Sequence, residues 1–236
     1  MNLIIDIGNT RTKLAYFEGN KMVELISIDS NKFDLSHSIV QENFSSIIIS
    51  SVKNIANLEY PNLNLFFFDE TSLLPILNNY KIETLGMDRV AAAVGALELF
   101  PNNDCLIIDL GSAITIDLLT KEKVFEGGNI SAGMRFRFSA LHNFTDKLPL
   151  VNENGEVKLT AQDTKTAIRS GVVNSIVHEI NGYIDAYEKN YPKIKVILTG
   201  GDSNFFAKQL KKRIFADENL VLKGLNRILN YNVDKK

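Results

Sequence analysis

Two short segments of the chain carry an aspartate, a glycine and a hydroxyl side chain at the same spacing. Residues 3–13 read LIIDIGNTRTK, and residues 106–115 read LIIDLGSAIT. In each, consecutive apolar residues typical of a buried strand end at an aspartate, Asp6 or Asp109. The glycine that follows allows a tight turn, whose N–H groups and nearby hydroxyls can bind phosphate oxygens. A single such turn is weak evidence, but the repetition predicts a duplicated protein that clamps a nucleotide between two phosphate turns.

Composition sets the class of protein. The chain has 236 residues, 45% of them hydrophobic, and a net charge of −2, which indicates an ordinary folded core and no basic surface for nucleic acid or membrane. The single cysteine, Cys105, begins a predicted buried strand and is expected to be a core residue. The opening residues MNLIIDIG have no basic region before the apolar run, so we expect a cytoplasmic protein.

The apolar patterns predict alternating strands and helices in both halves. In the first half they predict strands at 13–17, 22–28, 46–52 and 63–68, a loop with a short helix at 29–44, and helices at 71–79 and 86–100. In the second half they predict strands at 106–109, 114–120, 124–130 and 195–198, and helices at 133–142, 164–191, 203–212 and 220–229. Ser203 is the candidate N-cap of the third of these helices.

The long helix at 164–191 suggests an assembly. Apolar residues recur along one face of this helix. Val173, Val177 and Tyr183 lie outside that stripe, which is more apolar surface than one lobe needs to cover. We therefore expect a homodimer that buries this helix.

Each half thus reads strand, strand, strand, helix, strand, helix, with a phosphate turn at its start. This is the architecture shared by actin and hexokinase, in which the LTGG segment at 198–201 would receive the adenosine. We predict an α/β fold of two duplicated ribonuclease-H-like lobes, residues 1–104 and 105–236, with a nucleotide cleft between them.

Within this group the chain resembles the type III pantothenate kinases over nearly its whole length. Six motifs in order carry the resemblance: DIGNTRTK at 6–13, GMDR at 86–89, DLGSAITID at 109–117, GGNISAG at 127–133, TKTAIRSG at 164–171 and LTGGD at 198–202.

The resemblance implies ATP-dependent phosphorylation of the primary hydroxyl of pantothenate, the first step of coenzyme A synthesis. It assigns ATP binding to two segments: Asp6, Ile7, Gly8, Asn9, Thr10, Arg11, Thr12 and Lys13 in the first half, and Ser112 in the second. Asp6 would hold Mg²⁺ through water, the mode that Mg²⁺ prefers; the alternative is a capped turn without a ligand. Lys13 is equally a phosphate ligand or a solvated charge at a strand end. Asp109 would hold a monovalent cation, K⁺ or NH₄⁺.

The substrate side rests on the same resemblance. It assigns pantothenate binding to six residues: Tyr80, Gly86, Met87, Asp88, Arg89 and Thr164. Asp88 would be the base that accepts the proton of the substrate hydroxyl. An acid in the first turn of a helix, stabilised by the helix dipole, is the plainer interpretation of Asp88. Arg89 would bind the substrate carboxylate or act at the reacting end.

Four positions depart from the family pattern, and two other functions stay open. The family usually has Ala, Thr, Pro and Asn where this chain has Met87, Ser112, Ala132 and Asp163. One alternative is a kinase of the same fold for another small hydroxylated substrate. The other is a non-catalytic nucleotide-binding regulator. A nuclease would need clustered acids for two metals, and the sequence shows no such set.

Overall fold

The computed structural model describes residues 1–33, 44–51 and 65–233. The helix expected within 29–44 and the ends of two predicted strands, at 52 and at 63–64, lie outside the described residues. The chain packs as two compact units. The first comprises Met1–Pro101, Glu122–Glu126 and Asn219–Lys236, and the second comprises Asn102–Lys121 and Gly127–Glu218.

The first unit is built on a five-stranded sheet. Its strands are β1 (Asn2–Ile7), β2 (Arg11–Glu18), β3 (Lys21–Asp29), β4 (Ser46–Ser51) and β5 (Leu65–Phe67), in the order β3-β2-β1-β4-β5. β1 pairs with β2 antiparallel and with β4 parallel. The apolar run of β1 is buried on both faces, with Leu3, Ile4 and Ile5 fully buried, as its lack of alternation predicts.

The sheet of the second unit repeats this topology. Its strands are β7 (Cys105–Leu110), β8 (Ala113–Leu119), β9 (Val124–Ala132), β10 (Lys195–Thr199) and β11 (Phe215–Ala216), in the order β11-β10-β7-β8-β9. A short sixth strand, β6 (Leu77–Asn78), pairs with the start of β9. β7 pairs with β8 antiparallel and with β10 parallel, as β1 does with β2 and β4. Cys105 is fully buried, and burial raises the pKa of its thiol to about 12. The predicted duplication and the core role of Cys105 are confirmed.

Five helices lie among the described residues, and a single 3₁₀ turn at Ile82–Thr84 precedes the first. They are α1 (Met87–Leu99), α2 (Met134–Asn143), α3 (Thr164–Asn190), α4 (Ser203–Ala207) and α5 (Leu220–Val233). α5 returns to the first unit and packs against α1. Gly224 allows this close contact, because a Cβ there would overlap the carbonyl oxygen of Ala91. No α-helix in these three described ranges has the length and apolar character that a membrane crossing requires.

Two sequence predictions of helices were wrong. Residues 71–79 form no helix: Pro75 interrupts the segment, and β6 (Leu77–Asn78) pairs with Val124 and Phe125 at the start of β9. The side chain of Asn232 also bonds the backbone N–H and carbonyl of Leu73. These partners lie far along the chain, so local sequence could not reveal them.

The second error concerns α4 and Ser203. Asp202, not Ser203, precedes the first helical residue, and the helix ends at Ala207 rather than near 212. The N–H groups of Phe205 and Phe206 both bond the carbonyl of Asp202. Ser203 is therefore inside the helix, where its hydroxyl caps nothing.

The structure accounts for part of the extra apolar surface of α3 from which a dimer was expected, and the dimer itself stays a prediction. Val173 is fully buried in the core of its own unit, with Val172, Ile176 and Ile180 of the same helix. Val177 and Tyr183 are partly buried and pack against this core. The second unit itself covers Val173 fully and the other two in part, because β7, β8 and β10 present apolar side chains to the helix.

Candidate functional site

The first phosphate turn connects β1 to β2. The N–H of Gly8 bonds the carbonyl of Arg11 at 3.1 Å, which leaves Asn9 and Thr10 exposed at the tip. The hydroxyl of Ser30 donates to the Gly8 carbonyl at 2.9 Å and lies 3.0 Å from the hydroxyl of Thr12, which is fully buried. Ser30 therefore braces the turn from β3, a role that sequence reasoning missed because the contact is long-range.

Three of the turn's predicted ligands differ in exposure. The guanidinium of Arg11 bonds the hydroxyl of Ser27 at 2.9 Å and its carbonyl at 3.2 Å, and Arg11 is exposed. Ile7 is buried in the core of the sheet, so only its backbone can face a ligand. Lys13 is half-buried and lies opposite Asp6 in the β1–β2 ladder.

Asp6 is a partly buried carboxylate at the end of β1. Burial raises the pKa of Asp6 from 3.8 to about 6, against the lowering effect of Lys13. The negative charge of Asp88 raises this pKa further, and a hydrogen bond from Ser50 lowers it. Ser50 is its parallel partner on β4. The carboxyl of Asp6 therefore ionises only near pH 6, and a cation beside it would favour the ionised form.

The first turn of α1 carries the GMDR motif. Gly86 is the N-cap, Met87 is the first helical residue, and both are half-buried. Asp88 is exposed, and one of its carboxylate oxygens accepts the N–H of Arg89 at 2.9 Å. A Cβ at Gly86 would lie 2.5 Å from that oxygen. The motif therefore places an oriented carboxylate near Asp6 within the first unit.

Arg89 lies against two aromatic rings. Its guanidinium carbon is 4.8 Å from the ring centre of Tyr80 and 5.8 Å from that of Phe125. Arg89 is only 4% exposed. The family resemblance assigns Arg89 and Tyr80 to the substrate but gives no signal for Phe125, because nothing local in the sequence links the start of β9 to α1.

The second phosphate turn connects β7 to β8. The N–H of Gly111 bonds the carbonyl of Ala113 at 3.1 Å, while Ser112 is exposed. Asp109 is half-buried and pairs with Thr199 at the end of β10. Gly200 follows with φ +87, and a Cβ there would overlap the Asp109 carboxylate. Only glycine therefore fits at this position, and it brings the turn after β10 against Asp109.

Two buried hydroxyls lie near this turn. Within the described ranges, Thr199 and Ser203 are fully buried, and their hydroxyl oxygens have no hydrogen-bond partner. Asp202, between them, donates its N–H to the Leu110 carbonyl at 3.0 Å. Burial raises the pKa of Asp202, and Arg135 lowers it. The turn after β10 is therefore polar and tightly attached to β7.

Thr164 is the first residue of α3 and is exposed. The carboxylate of Asp163 accepts the N–H of Thr166 at 3.0 Å, and this hydrogen bond lowers the pKa of Asp163. Asp163 is thus the N-cap of α3. The family usually has Asn at this position, and because Asn and Asp cap helices about equally well, the helix begins at the same residue with either one.

The predicted site residues therefore fall into two groups. The first unit brings together Asp6, Lys13 and Asp88, with Arg89 in the same helical turn as Asp88. The second unit holds Asp109, Ser112 and Thr164. In the part of the chain that the structure describes, no three His, Cys, Asp or Glu side chains form a metal-binding group.

Comparisons with known proteins identify the family. The sequence profile of the family "Type III pantothenate kinase" matches residues 2–186. A type III pantothenate kinase of Phocaeicola vulgatus is 46% identical over 239 residues, which cover 98% of this chain and 99% of that protein.

Solved structures show the fold. A ROK hexokinase from Thermus thermophilus has a TM-score of 0.50 at 10% identity, covering 98% of this chain and 99% of its own. A Campylobacter jejuni protein described as a candidate Baf family transcriptional activator has a TM-score of 0.65 at 21% identity, covering 98% and 99%. At these identities the likeness shows the hexokinase-type fold alone, and the predicted fold class is confirmed. By its profile match and full-length sequence identity, the chain belongs to the type III pantothenate kinase family.

Proposed function

We propose that this protein transfers the γ-phosphoryl group of ATP to the primary hydroxyl of pantothenate, the first step of coenzyme A synthesis. Family membership makes it an ATP-dependent kinase. The observation that carries the proposal within the structure is the first turn of α1, where the N–H of Arg89 orients the exposed carboxylate of Asp88 at 2.9 Å in the same unit as Asp6 and the first phosphate turn. Phosphoryl transfer depends mainly on the positioning of the reacting groups and on neutralisation of the phosphate charge.

On the ATP side, we assign phosphate binding to the two turns. The exposed Asn9 and Thr10, the backbone N–H groups of the first turn and the exposed Ser112 are available to phosphate oxygens. Thr12 supports the turn through its contact with Ser30. The two predicted lobes, 1–104 and 105–236, would each contribute one turn; the structure groups Glu122–Glu126 and Asn219–Lys236 with the first unit. A cytoplasmic location stays a prediction.

The residues of the first unit fit a magnesium ion held with ATP. Asp6 and Asp88 carry like charges, and a cation bound near them would reduce their repulsion. Among the described residues, no group of three His, Cys, Asp or Glu side chains could hold a metal ion. This matches Mg²⁺, which keeps several waters and binds through one or two carboxylates and the substrate phosphates. When bound, the ion supplies neutralisation of phosphate charge.

On the substrate side, Asp88 would accept the proton of the attacking hydroxyl. Its orientation by the N–H of Arg89 and its exposure support this role. Gly86, Met87 and Arg89 would hold the substrate next to Asp88, with Tyr80 beside Arg89. Thr164 would bind pantothenate through its exposed hydroxyl.

We predict that turnover depends on K⁺ or NH₄⁺. Asp109 is a half-buried carboxylate beside a phosphate turn, so a cation between it and the nucleotide would remove a repulsion. Rates should be several-fold higher in K⁺ or NH₄⁺ than in Na⁺ at equal ionic strength. The same rate in all three salts would contradict the assignment of Asp109.

We also predict a homodimer formed by the second unit. Large apolar side chains stand exposed around α2 and before α3: Ile130, Phe136, Phe144, Leu150 and Leu159. Light scattering at micromolar concentration should give about twice the 26.4 kDa of one chain. The double variant Phe144→Glu/Leu159→Glu should shift toward the monomer, whereas Val23→Glu, at an exposed apolar site of the first unit, should not. A monomer mass for the unaltered protein would reject the dimer.

One assay tests the proposed reaction against its alternatives. ADP release is measured with pantothenate and with a panel of sugars, in K⁺ and in Na⁺. We expect release with pantothenate alone. Release with a sugar and never with pantothenate would favour a sugar kinase of the same fold, and nucleotide binding without any release would favour a regulator.

A further inference from the structure

The guanidinium of Arg89 lies over two aromatic rings, Tyr80 and Phe125, and neither belongs to the GMDR motif. Its carbon lies 4.8 Å from the centre of the Tyr80 ring and 5.8 Å from that of Phe125. The two rings are themselves in contact, with centres 6.4 Å apart and planes at 54°. Phe125 is fully buried. An arginine at these distances from two ring faces is attracted to both.

Phe125 reaches Arg89 because the start of β9 is attached to β6. The N–H of Leu77 bonds the Lys123 carbonyl at 2.8 Å, and the N–H of Asn79 bonds the Phe125 carbonyl at 3.0 Å. The side chain of Asn79 adds a bond to Glu126 at 3.0 Å. These bonds fix the backbone on both sides of the Phe125 ring.

Tyr80 is fixed by the same segment. The side chain of Asn78 accepts the Tyr80 N–H and donates to the Tyr80 carbonyl, both at 3.0 Å. Hydrogen bonds thus fix the backbone at both aromatic residues. An arginine, by contrast, has four rotatable side-chain bonds. Rigid rings that restrict a flexible guanidinium lower the entropy it loses when it binds a ligand.

We infer that Phe125 is a positioning residue for pantothenate binding, acting through the guanidinium of Arg89. The inference rests on the proposed function, since it takes Arg89 to bind pantothenate. In this role Phe125 contacts Arg89 and Tyr80, and the guanidinium, not the Phe125 ring, would bind the substrate. Tyr80 shares the positioning role, in addition to the substrate contact proposed for it.

The test replaces the ring by an aliphatic side chain. In Phe125→Leu the KM for pantothenate should rise roughly tenfold, the order expected for a desolvated cation–π contact. The KM for ATP and kcat should change less than about twofold, because ground-state binding of one substrate is affected. Phe17→Leu is the matched control: Phe17 is a buried phenylalanine of the same unit, 1% exposed, and should leave both KM values unchanged at a comparable loss of melting temperature.

A double-mutant cycle shows whether Phe125 acts through Arg89. Arg89→Lys keeps the charge but loses the planar group and should itself raise the KM for pantothenate. Adding Phe125→Leu to Arg89→Lys should raise it little further, because the stacked group is already gone. Additive effects in the cycle would overturn the inference.

Other outcomes separate the inference from the proposed function. ADP release is measured first on the unaltered protein, and its absence with pantothenate overturns the proposed function. If the unaltered protein is active, an unchanged pantothenate KM in Phe125→Leu overturns the inference alone. A rise in the KM for ATP as large as that for pantothenate, or the same effect in Phe17→Leu, would mean general loosening and would also overturn it.

Discussion

Asp88→Asn should reduce turnover by about 10²–10⁴-fold, because the amide keeps the shape of the side chain but cannot accept the hydroxyl proton. This corresponds to roughly 3–5 kcal/mol of activation free energy. The KM for ATP should change little, since the two turns bind the nucleotide. The KM for pantothenate should rise modestly, because an amide can still bond the hydroxyl. The measurement is steady-state ADP release with either substrate varied, together with the melting temperature.

The control for Asp88→Asn is Glu98→Gln on the same helix. Glu98 contacts Asn20 and Arg227 within the first unit, far along α1 from the GMDR motif, so its loss should leave kcat unchanged. If Asp88 were only a favourable acid in the first helical turn, its loss would cost less than about 1 kcal/mol of stability and leave turnover intact. Near-normal turnover of Asp88→Asn at an unchanged melting temperature would therefore reject the base.

The repeated turns were predictable from sequence because their signals are local. A consecutive apolar run, an aspartate and a glycine identify β1 and β7, and the structure gives both the same neighbours in their sheets. α1 and α3 were predicted within a residue or two at each end, since alanine and periodic apolar residues favour helix over long windows.

The rest could not be predicted because its contacts join distant residues. Phe125 lies beside Arg89 through a two-residue strand pairing of β6 and β9, and Ser30 supports the first turn across a sheet. α5 belongs to the first unit although it ends the chain. Apolar residues of α3 identify a buried helix, but their pattern does not say whether the same chain or a partner covers them.

Asp6→Asn should lower turnover and stabilise the protein at once. Asp6 is the carboxylate assigned to the magnesium ion, and its amide no longer carries charge toward it, so kcat/KM for ATP should fall by about 10²-fold or more. Without nucleotide or metal, burial makes the ionised Asp6 unfavourable, as its pKa of about 6 indicates. Removing that charge should raise the free energy of unfolding by about 1–3 kcal/mol at pH 8.

The gain in stability should depend on pH with a definite sign. The ordinary pKa of an aspartate is 3.8, whereas that of Asp6 is about 6 in the folded protein, so between these values the folded state binds more protons than the unfolded state. The contribution of protonated Asp6 to stability is complete below pH 3.8 and is lost as pH rises through about 6. The asparagine variant has no such loss. Its advantage should therefore be absent near pH 3, grow between about pH 4 and pH 6, and stay constant above about pH 7.

Urea unfolding of both proteins at pH 5 and pH 8, without ATP or Mg²⁺, measures this difference. Asp29→Asn is the matched control, because Asp29 is an exposed aspartate at the end of β3 in the same sheet. The same carboxylate-to-amide change there should alter the free energy of unfolding by less than about 0.5 kcal/mol at both pH values. An equal advantage of Asp6→Asn at pH 5 and pH 8, or a loss of stability at pH 8, would show that Asp6 is ionised without strain in the folded protein. That result would reject the view that burial and the charge of Asp88 make the ionised Asp6 unfavourable until a cation binds.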